Sequence, residues 1–433
     1  MDYRSNLNEI GSARKASPIR AQHEKYVHSD ESKEPPIWLS GGMPNGLTFP
    51  AINGSFELRD GSTLELNKNS TAKALQYDAT PGDKNLLIWL YELQRQAHNP
   101  PTYNNPQHPG EMNMCIINGS QHGIGTTFEN LVSKGDFIMV ESPTYAGAVA
   151  ALKPLKPNVI TIETDAYGII PEKLEQELSR WNPKTIQNPG KDGPKFLYTV
   201  PTCGNPTGTT LTEERKKRIY GLAREFKFLI IEDDAYFYLK KKPYVPSFLS
   251  MDTDGRVIRL DSMSKIIAAG LRIGMISGPK PIIDVVKRSI ETSIQGTSGL
   301  SQHFILALVK KWGYEGFYKN AEKLASFYDQ RKEECLESAN KYLKEVAEWN
   351  EPAGGMFLWI KLKVPDAEPI VEKLIREKGV FVAPGSIFSM EVPPTSPYIR
   401  VSFSNNTPEA FDKAFEIIAL TVKEHLSETK VTK

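Results

Sequence analysis

A lysine with two serines before it ends the segment 261–265, DSMSK, which follows a short apolar stretch. An amino group at the end of a buried strand is partly desolvated, which lowers its pKa and makes it a nucleophile toward an aldehyde. The hydroxyls of Ser262 and Ser264, with the planar guanidinium of Arg272, suit a phosphate monoester. A Ser-x-Ser-Lys segment alone is more often an exposed turn, so the case for Lys265 depends on the motifs that accompany it.

Adjacent carboxylates follow a second apolar stretch, in the segment 232–236, EDDAY. A carboxylate at the end of a buried strand can keep a nitrogen of a heteroaromatic ring protonated, and we assign that role to Asp233. Tyr236 would donate a hydrogen bond to an oxygen on the same ring. Acidic residues at strand ends more often cap helices or bind metal ions, but no third carboxylate has a spacing suited to Mg²⁺. We therefore predict no metal site.

Two further turns follow predicted strands. Asn205 precedes a proline in the segment 201–208, PTCGNPTG, where a tight loop can aim the side-chain amide at a bound ring. The sequence does not show whether this Asn-Pro bond is cis. The segment 118–123, NGSQHG, stands between a strand and a helix, and such a helix N-terminus binds phosphate through backbone N–H groups. We interpret His122 as a helix residue beside that turn and not as a proton shuttle, because Lys265 can act as the base.

These motifs follow apolar segments that we predict to be strands. Most of the segments are apolar on consecutive residues, which is typical of strands buried on both faces of a parallel sheet. Helical stretches lie between them, including 211–226, for which Thr212 is the candidate N-cap. This alternation predicts a doubly wound α/β domain. The predicted strands are 114–117, 137–140, 159–162, 196–200, 228–231, 257–260 and 273–276.

The pattern changes after about residue 310, where charged helical stretches dominate and strands are few. We predict a long helix over 318–346, strands over 356–361 and 398–403, and an amphipathic helix over 408–425. These elements indicate a smaller α+β domain, and the polar N-terminal residues are expected to form an arm or lid outside the core. The predicted division is an arm with part of the small domain over 1–45, a large domain over 46–310 and a small C-terminal domain over 311–433.

Length and composition limit the class of protein. With 433 residues, of which 39% are hydrophobic, the chain can bury a large core and exceeds the size of one ordinary domain. The 53 basic residues nearly balance the 52 acidic ones, which argues against binding to nucleic acid or to a membrane surface. The 3 cysteines lie far apart and predict neither a disulfide framework nor a metal site.

Targeting signals are weak in the sequence. No apolar stretch of about 18 residues predicts a transmembrane helix, and the N-terminal region lacks the apolar segment of a secretory signal. A mitochondrial presequence is poorly supported, because acidic residues interrupt the basic ones in that region. We expect the protein in the cytoplasm or the mitochondrial matrix.

Taken in order along the chain, these motifs resemble those of the fold-type I, aspartate aminotransferase-like pyridoxal 5'-phosphate (PLP) enzymes of class I and II. The resemblance covers nearly the whole chain. It implies a large domain with a mostly parallel seven-stranded sheet flanked by helices, a smaller α+β domain and an N-terminal arm. The motifs that carry it are Gly119-Ser120-Gln121, Tyr145, Asn205-Pro206-x-Gly208, Asp233-x-x-Tyr236, Ser262-x-Ser264-Lys265, Arg272 and Arg400.

The resemblance implies a role for each matching residue. Lys265 would hold PLP as a Schiff base and shuttle the proton, and Asp233 would pair with the protonated ring nitrogen. Asn205 and Tyr236 would contact the phenolic oxygen of the ring, and Tyr145 would stack on it. The residues expected to hold the phosphate are Ser120, Gln121, Ser262, Ser264 and Arg272, with Tyr77 contributed by a second subunit. The residues expected to meet the substrate are Arg20, Gly42, Tyr77, Tyr145, Asn205, Phe357 and Arg400.

A narrower group in this family, whose members act on kynurenine and 2-aminoadipate, is similar in further segments. These segments are 17–20, 41–45, 75–77, 196–201 and 355–360. The resemblance implies ping-pong transamination of L-kynurenine, L-2-aminoadipate and related large or aromatic amino acids, with 2-oxoglutarate as acceptor. The products would be glutamate and the 2-oxo acid, which for kynurenine cyclises to kynurenic acid.

Two substrate contacts and an assembly follow from the same resemblance. The planar fork of Arg400 fits the substrate α-carboxylate, and Arg20 of the N-terminal arm would meet the distal part of the substrate. A homodimer with shared active sites is implied, because Tyr77 needs a neighbouring subunit to reach the phosphate. One segment, 202–204 (TCG), is less polar than the family pattern. This departure leaves Asn205 in place but puts loop rigidity and substrate preference in doubt.

Three other functions stay open from the sequence. The same residues on this fold can run β-elimination, as in a cysteine-conjugate β-lyase. A PLP-binding regulator without turnover is less favoured, because no basic winged-helix extension is present. A pseudo-enzyme is less favoured as well, because Lys265, Asp233 and Arg400 are all present.

Overall fold

The computed structural model describes residues 2–18, 42–391 and 394–431. In chain order, the strands of this part are β1 Gly54–Glu57, β2 Thr63–Leu66, β3 Met112–Ile117, β4 Phe137–Ser142, β5 Asn158–Asp165, β6 Gly168–Ile169, β7 Phe196–Thr199, β8 Leu229–Asp233, β9 Val257–Ser262, β10 Gly274–Pro279, β11 Ala347–Trp349, β12 Phe357–Leu362, β13 Ala383–Pro384 and β14 Tyr398–Ser402. The α-helices are α1 Glu9–Ala13, α2 Lys68–Ala74, α3 Lys84–His98, α4 Ser120–Leu131, α5 Ala146–Leu152, α6 Pro171–Leu178, α7 Glu213–Glu225, α8 Lys280–Ser293, α9 Gly299–Tyr342, α10 Glu368–Lys373 and α11 Pro408–Val431. No helix among them is long and apolar enough to cross a bilayer.

The chain forms two compact units, each assembled from separate stretches of sequence. The first unit contains Met1–Leu131, Asp252–Arg256 and Leu260–Phe317. The second unit contains Val132–Met251, Val257–Arg259 and Tyr318–Lys433.

The main sheet has eight strands in the order β3-β10-β9-β8-β7-β4-β5-β6. The pairs β4–β5, β4–β7 and β7–β8 are parallel, and β10–β3 is antiparallel. Every residue of β8, β9 and β10 is buried, which agrees with their consecutive apolar sequence. The predicted α/β sheet is therefore confirmed, and all of its predicted strands are present.

The eighth strand is the one that the sequence pattern did not predict. β6 is a two-residue strand that turns back on β5, where Thr164 lies opposite Ile169 and Asp165 opposite Gly168. Two residues are too few to show any hydrophobic periodicity. The difference from the expected seven strands is therefore one short antiparallel strand at the edge of the sheet.

Helix caps explain where the predicted helices begin. The hydroxyl of Thr212 accepts from the backbone N–H of Arg215 at 3.3 Å, and Glu213 and Glu214 occupy the first turn of α7. The carboxylate of Asp83 caps α3 by accepting from two backbone N–H groups. The predicted N-cap at Thr212 is confirmed.

The helix predicted over 318–346 begins earlier than expected. The chain is helical over Gly299–Tyr342 except at Gly313, where φ is 64° and ψ is −177°, so two helical segments meet there. A residue with positive φ interrupts the helical hydrogen bonds, and glycine adopts it without steric cost. The glycine concealed the first segment from the sequence pattern.

The second unit also has a four-stranded sheet in the order β11-β12-β14-β13, with antiparallel pairs. β12 pairs with β14 so that Trp359 lies opposite Arg400. α11 packs with this sheet around a buried apolar cluster that includes Leu358, Ile399 and Phe415. This arrangement agrees with the strands and the final helix predicted for the C-terminal part of the chain.

Residues near the N-terminus, expected in an arm outside the core, are partly buried in the first unit. Tyr3 is 6% exposed, and its hydroxyl donates to the carbonyl of Gly255 at 2.8 Å. The side chain of Asn8 donates to the carbonyl of Glu129 at 2.7 Å and caps α1. These contacts tie residues 3–13 to the first unit, although their composition is polar.

Candidate active site

In the first unit, Arg272 and the turn before α4 meet where two antiparallel strands pair. Gly274 of β10 lies opposite Ile117 of β3, so the residues that flank this pair are neighbours. Gly119 has a φ of +78°, and a Cβ atom there would lie 2.1 Å from Nη2 of Arg272. The same nitrogen donates to the carbonyl of Asn118 at 3.3 Å. Only glycine at position 119 leaves room for the guanidinium group.

The serines predicted to bind phosphate lie on the same loops. Oγ of Ser264 accepts from Nη1 of Arg272 at 3.2 Å, and Oγ of Ser262 accepts from the backbone N–H of Ser264 at 3.2 Å. Ser120 is the first residue of α4, and its hydroxyl donates to the carbonyl of Asp261 at 3.3 Å. A guanidinium, three hydroxyls and a helix N-terminus form a group of donors that suits a phosphate. We call these residues the donor cradle.

Lys265 follows these serines directly and is half-buried in the turn after β9. Gln121 is exposed in the first turn of α4. Nδ1 of His122 accepts from the backbone N–H of Asn118 at 3.3 Å, and burial lowers the pKa of His122. His122 therefore supports the turn as a neutral side chain, in line with the role expected for it.

Three predicted residues have no hydrogen bond to the donor cradle in the described part of the chain. Tyr77 is 59% exposed in the connection between α2 and α3. Gly42 is exposed, and a Cβ atom there would meet nothing within 4 Å. Arg20 lies outside the described residues. Their assigned contacts stay predictions.

In the second unit, Asp233 ends β8 and is 5% exposed. Tyr198 of the neighbouring strand β7 is fully buried and donates its hydroxyl to Oδ2 of Asp233 at 2.7 Å. Burial, followed by the charge of Asp233, raises the pKa of Tyr198 well above its ordinary value, so the hydroxyl stays a donor. Tyr198 was not predicted as a site residue. The signal that could have found it is a tyrosine within a buried apolar strand, which needs a partner for its hydroxyl.

Glu141 of β4 is a second buried carboxyl group near Asp233. Its Oε1 accepts from the backbone N–H of Val200 at 2.8 Å, and its Oε2 accepts from the hydroxyl of Thr199 at 2.8 Å. Burial, reinforced by the charge of Asp233, raises the pKa of Glu141 to about 7. Its charge therefore changes near neutral pH, next to the carboxylate of Asp233.

The loop after β7 joins the amide of Asn205 to two other predicted residues. The Asn205-Pro206 peptide bond is cis. Oδ1 of Asn205 accepts from Nη1 of Arg400 at 2.7 Å, and the amide also hydrogen-bonds to the hydroxyl of Tyr236. Burial raises the pKa of Tyr236, and Tyr145 is near enough to both Tyr236 and Arg400 to influence their charge. Within the second unit, the predicted ring and substrate ligands are thus brought together.

Two aromatic rings hold the guanidinium group of Arg400. Its Cζ lies 4.3 Å from the ring centroid of Phe357 and 5.0 Å from that of Phe388. Nε of Arg400 is buried and has no hydrogen-bond partner among the described residues. Burial lowers the pKa of Arg400. A buried cation without a carboxylate partner is suited to an anionic ligand, and the rings beside it are suited to an apolar or aromatic one.

A buried ion network supports the strand that carries Asp233. Nη1 of Arg259 lies 2.7 Å from Oδ2 of Asp234 and 3.1 Å from Oε2 of Glu232, and all three side chains are essentially inaccessible to solvent. Glu232 also accepts from the backbone N–H of Phe248 at 2.8 Å. Because Arg259 binds the residues on both sides of Asp233, it holds the end of β8 in place.

The segment 202–204, which departs from the family pattern, is tightly packed. Cys203 has a φ of 48° and is fully buried. A Cβ atom on Gly355 would lie 2.7 Å from Cβ of Cys203, so the two positions must both stay small. Burial raises the pKa of the Cys203 thiol to about 12, which keeps it protonated and unreactive. Cys203 thus acts as a small residue in a tight loop, which was the preferred interpretation.

Replacing Glu141 by Gln should change how the stability of the protein depends on pH. A carboxyl group with a pKa of about 7 when folded and an ordinary value when unfolded takes up protons on folding between about pH 4.5 and 7. In the wild type this group therefore removes stability as pH rises through that range. We expect Glu141→Gln to gain about 1–3 kcal/mol relative to wild type between pH 5 and pH 8. Unfolding of the cofactor-free proteins across this pH range would measure the difference.

The exposed Glu348 of β11 offers a matched control for this measurement. Glu348→Gln should follow the wild-type pH dependence, since an exposed carboxyl group titrates similarly in both states. Glutamine at 141 can still accept from Val200 and pair with the hydroxyl of Thr199, so the fold should be kept. Parallel pH curves for wild type and Glu141→Gln would contradict the assignment.

The comparisons with known proteins agree on one family. The model of the family "Aminotransferase class I and II" matches residues 93–418. The kynurenine/alpha-aminoadipate aminotransferase, mitochondrial, of Bos taurus is 42% identical over 428 residues, covering 98% of this chain and 100% of the relative. The protein of the same name from Rattus norvegicus is 43% identical over 426 residues, with the same shares covered.

Solved structures give the same result for the fold. The aminotransferase Aro8 from Candida albicans has a TM-score of 0.84 and 29% identity, and the match covers 99% of each chain. The kynurenine aminotransferase of Pyrococcus horikoshii, solved with PMP, KYN and KYA, has a TM-score of 0.74 and 28% identity over 98% of each chain. The predicted fold type is thereby confirmed.

The residues in place fit the cofactor of this family. The donor cradle leaves no space for a Cβ atom at Gly119 and points its donors at one region, as a phosphate ester requires. The buried carboxylate of Asp233, fixed by Tyr198, suits a protonated ring nitrogen. Because the family model spans most of the chain and the relatives match it over nearly its full length, the chain belongs to the class I and II aminotransferases, which are PLP-dependent enzymes.

Proposed function

We propose that this enzyme transfers the amino group of L-kynurenine, L-2-aminoadipate and related large or aromatic amino acids to 2-oxoglutarate. The observation that carries the proposal is the guanidinium group of Arg400, held between Phe357 and Phe388 and hydrogen-bonded to Asn205. It offers a carboxylate site beside aromatic surface. The names of the full-length mammalian relatives support the same substrates.

When bound, PLP supplies an aldehyde and an electron-accepting ring that stabilises negative charge at the substrate α-carbon. We propose that its phosphate is held by the donor cradle, with Gln121 and with Tyr77 of a second subunit. Lys265 is the residue whose amino group binds the aldehyde and later moves a proton at the α-carbon. Its place after Ser264, whose hydroxyl already meets Arg272, supports this assignment.

The second unit would supply the groups that meet the ring and the substrate. Asp233 keeps the ring nitrogen protonated, and the hydrogen bond from Tyr198 fixes its orientation. Tyr236 and Asn205 would donate to the phenolic oxygen, and Tyr145 would stack on the ring. Arg400 would bind the α-carboxylate through its planar fork.

We propose contacts to the rest of the substrate from Gly42, Tyr77 and Arg20. Gly42 leaves open space around its backbone, and the Tyr77 side chain is largely exposed. The domain division expected from the sequence, with boundaries after residues 45 and 310, belongs to this proposal as well.

We propose a homodimer as the active form. The first unit exposes large apolar side chains, which would be unusual if no second protein covered them. They include Leu47 at 93%, Ile52 at 66%, Leu300 at 47% and Ile294 at 41% exposure. The exposed Tyr77 lies in the same unit. A second copy that covers this surface would receive Tyr77 at its own phosphate.

We propose the mitochondrial matrix as the compartment, since the mammalian relatives carry "mitochondrial" in their names. Fractionation of cells that express the tagged full chain would test this assignment directly.

Adding L-kynurenine or L-2-aminoadipate without any 2-oxo acid should convert the cofactor once and stop. We expect the yellow absorbance of the loaded enzyme to give way to the near-ultraviolet absorbance of the amino form of the cofactor. Addition of 2-oxoglutarate should restore the yellow colour, because the second half-reaction then runs. Stopped-flow absorbance measures both steps, and the relative rates rank the two donors.

The D-enantiomers of both donors serve as controls and should leave the spectrum unchanged. A spectrum that no L-amino acid changes would contradict transamination. Release of pyruvate from a cysteine conjugate with a good leaving group would then favour the β-lyase function.

A further inference from the structure

Three side chains of the first unit lie together outside the residues assigned to the cofactor and substrate. Asp78, Asp83 and His303 place ligand atoms within 4.8 Å of one another. Asp78 follows Tyr77 in the connection between α2 and α3, Asp83 caps α3, and His303 lies on α9. They are so far apart in sequence that no spacing motif indicated them.

His303 gives the strongest sign that this cluster binds a ligand. Its side chain is only 5% exposed, and its Nε2 has no hydrogen-bond partner among the described residues. This nitrogen lies 3.8 Å from Oδ2 of Asp83, which is too far for a hydrogen bond. A buried polar atom left without a partner is destabilising, so its orientation toward two carboxylates calls for an atom between them.

Asp83 is held in position by its neighbours. Its Oδ1 accepts from the backbone N–H groups of Asn85 and Leu86, each at 2.9 Å. Its own N–H donates at 2.7 Å to Gln302, whose amide in turn donates to the carbonyl of Thr297 at 2.8 Å. These bonds leave Oδ2 directed at His303, so one carboxylate oxygen and one imidazole nitrogen are already placed.

Asp78 lies on the solvent side of the cluster. It is exposed, and it is part of an open groove lined by residues 74–79 and 294–299. An ion can therefore reach the buried pair from this side. Because Asp78 lies on a turn and not within a helix or strand, it can move toward an ion that the other two ligands hold.

We propose that Asp78, Asp83 and His303 bind a divalent transition-metal ion, with zinc as the preferred one. One imidazole nitrogen and two carboxylate oxygens are ligands that zinc accepts, and water would complete the tetrahedron. Calcium and magnesium are disfavoured because they prefer oxygen ligands alone. Zinc bonds of about 2.0–2.2 Å would bring the ligand atoms about 3.3 Å apart, so the cluster must contract, chiefly by movement of Asp78. This proposal revises the expectation of no metal site.

A bound ion would connect the turn that carries Tyr77 to α3 and α9. This consequence rests on the proposed function, in which Tyr77 meets the phosphate in the other subunit. A less mobile turn should slow the loss of PLP from the dimer. The ion is thus expected to stabilise cofactor binding and to take no part in the chemistry.

Isothermal titration of zinc ions into the metal-stripped, PLP-loaded enzyme tests the site. We expect one ion per chain and a higher thermal unfolding midpoint with zinc. Asp78→Asn and His303→Leu should each weaken zinc binding by at least about tenfold. The exposed Asp78 can be changed without harm to folding, and leucine fills the buried space of His303 without an unpaired nitrogen.

His108→Asn provides the matched control, because this exposed histidine lies outside the cluster. It should bind zinc as the wild type does. Equal zinc affinity in wild type and His303→Leu, or no binding at micromolar zinc, would overturn the proposal. No substrate is present in these measurements, so their failure would leave the proposed transamination untouched.

Discussion

Lys265→Ala should lose catalytic turnover almost completely while keeping a folded protein that still binds PLP. General acid–base groups contribute about 10²–10⁴-fold to rate, and Lys265 would also lose its covalent bond to the cofactor, so the decrease should reach at least the upper part of that range. The phosphate and ring ligands are unchanged in this variant. Steady-state assays with L-kynurenine and 2-oxoglutarate measure the loss.

A chemical test identifies the lysine itself. Borohydride reduction of the wild type should fix the cofactor covalently, and mass spectrometry of the digested protein should place it on the peptide that contains Lys265. The variant should release all of its PLP on denaturation after the same treatment. Lys240, Lys241 and Lys242 are exposed or partly exposed lysines elsewhere in the chain and should stay unmodified. Cofactor found on another lysine would reject the assignment.

The sequence could predict this residue because chemistry and topology coincide in the fold. Each motif follows an apolar stretch, and in a parallel sheet the carboxyl ends of the strands lie at one edge. Asp233 at the end of β8 and Lys265 in the turn after β9 follow neighbouring strands for this reason. Their residue types and order were sufficient, without any distance.

Other residues depend on side-chain contacts that a sequence does not contain. Tyr198 bonds to Asp233 because β7 and β8 pair in one register, and Glu141 reaches Thr199 across β4 and β7. Phe388 lies on a loop with no motif, yet its ring contacts Arg400. Pairing registers and loop paths arise from tertiary packing, which local patterns do not fix.

The small strand β6 and the early start of α9 were missed for a related reason. A two-residue strand has no periodicity, and Gly313 interrupts the helical pattern that precedes it. Both are local events whose energy comes from neighbouring elements. The long apolar strands, in contrast, carry their signal in consecutive residues.

Arg400→Gln should reduce kcat/KM for every amino-acid donor by about 10²–10³-fold, equivalent to about 3–4 kcal/mol of binding to the transition state. The variant loses the charge and the planar fork that would bind the α-carboxylate. Glutamine can still pair with Asn205, so the loop should keep its conformation. Most of the loss is expected in KM, since the carboxylate is bound both before and during the reaction.

Arg400→Lys is the matched variant, since it keeps the charge but not the stacking between Phe357 and Phe388. It should recover only part of the activity, because a lysine cannot form the bidentate pair. A decarboxylated amine analogue of kynurenine distinguishes the site that is lost. Wild type should strongly prefer the amino acid over this analogue, and Arg400→Gln should prefer it little. If the variant keeps the wild-type preference, Arg400 does not bind the α-carboxylate, and the carboxylate must be held by another cation such as Arg20.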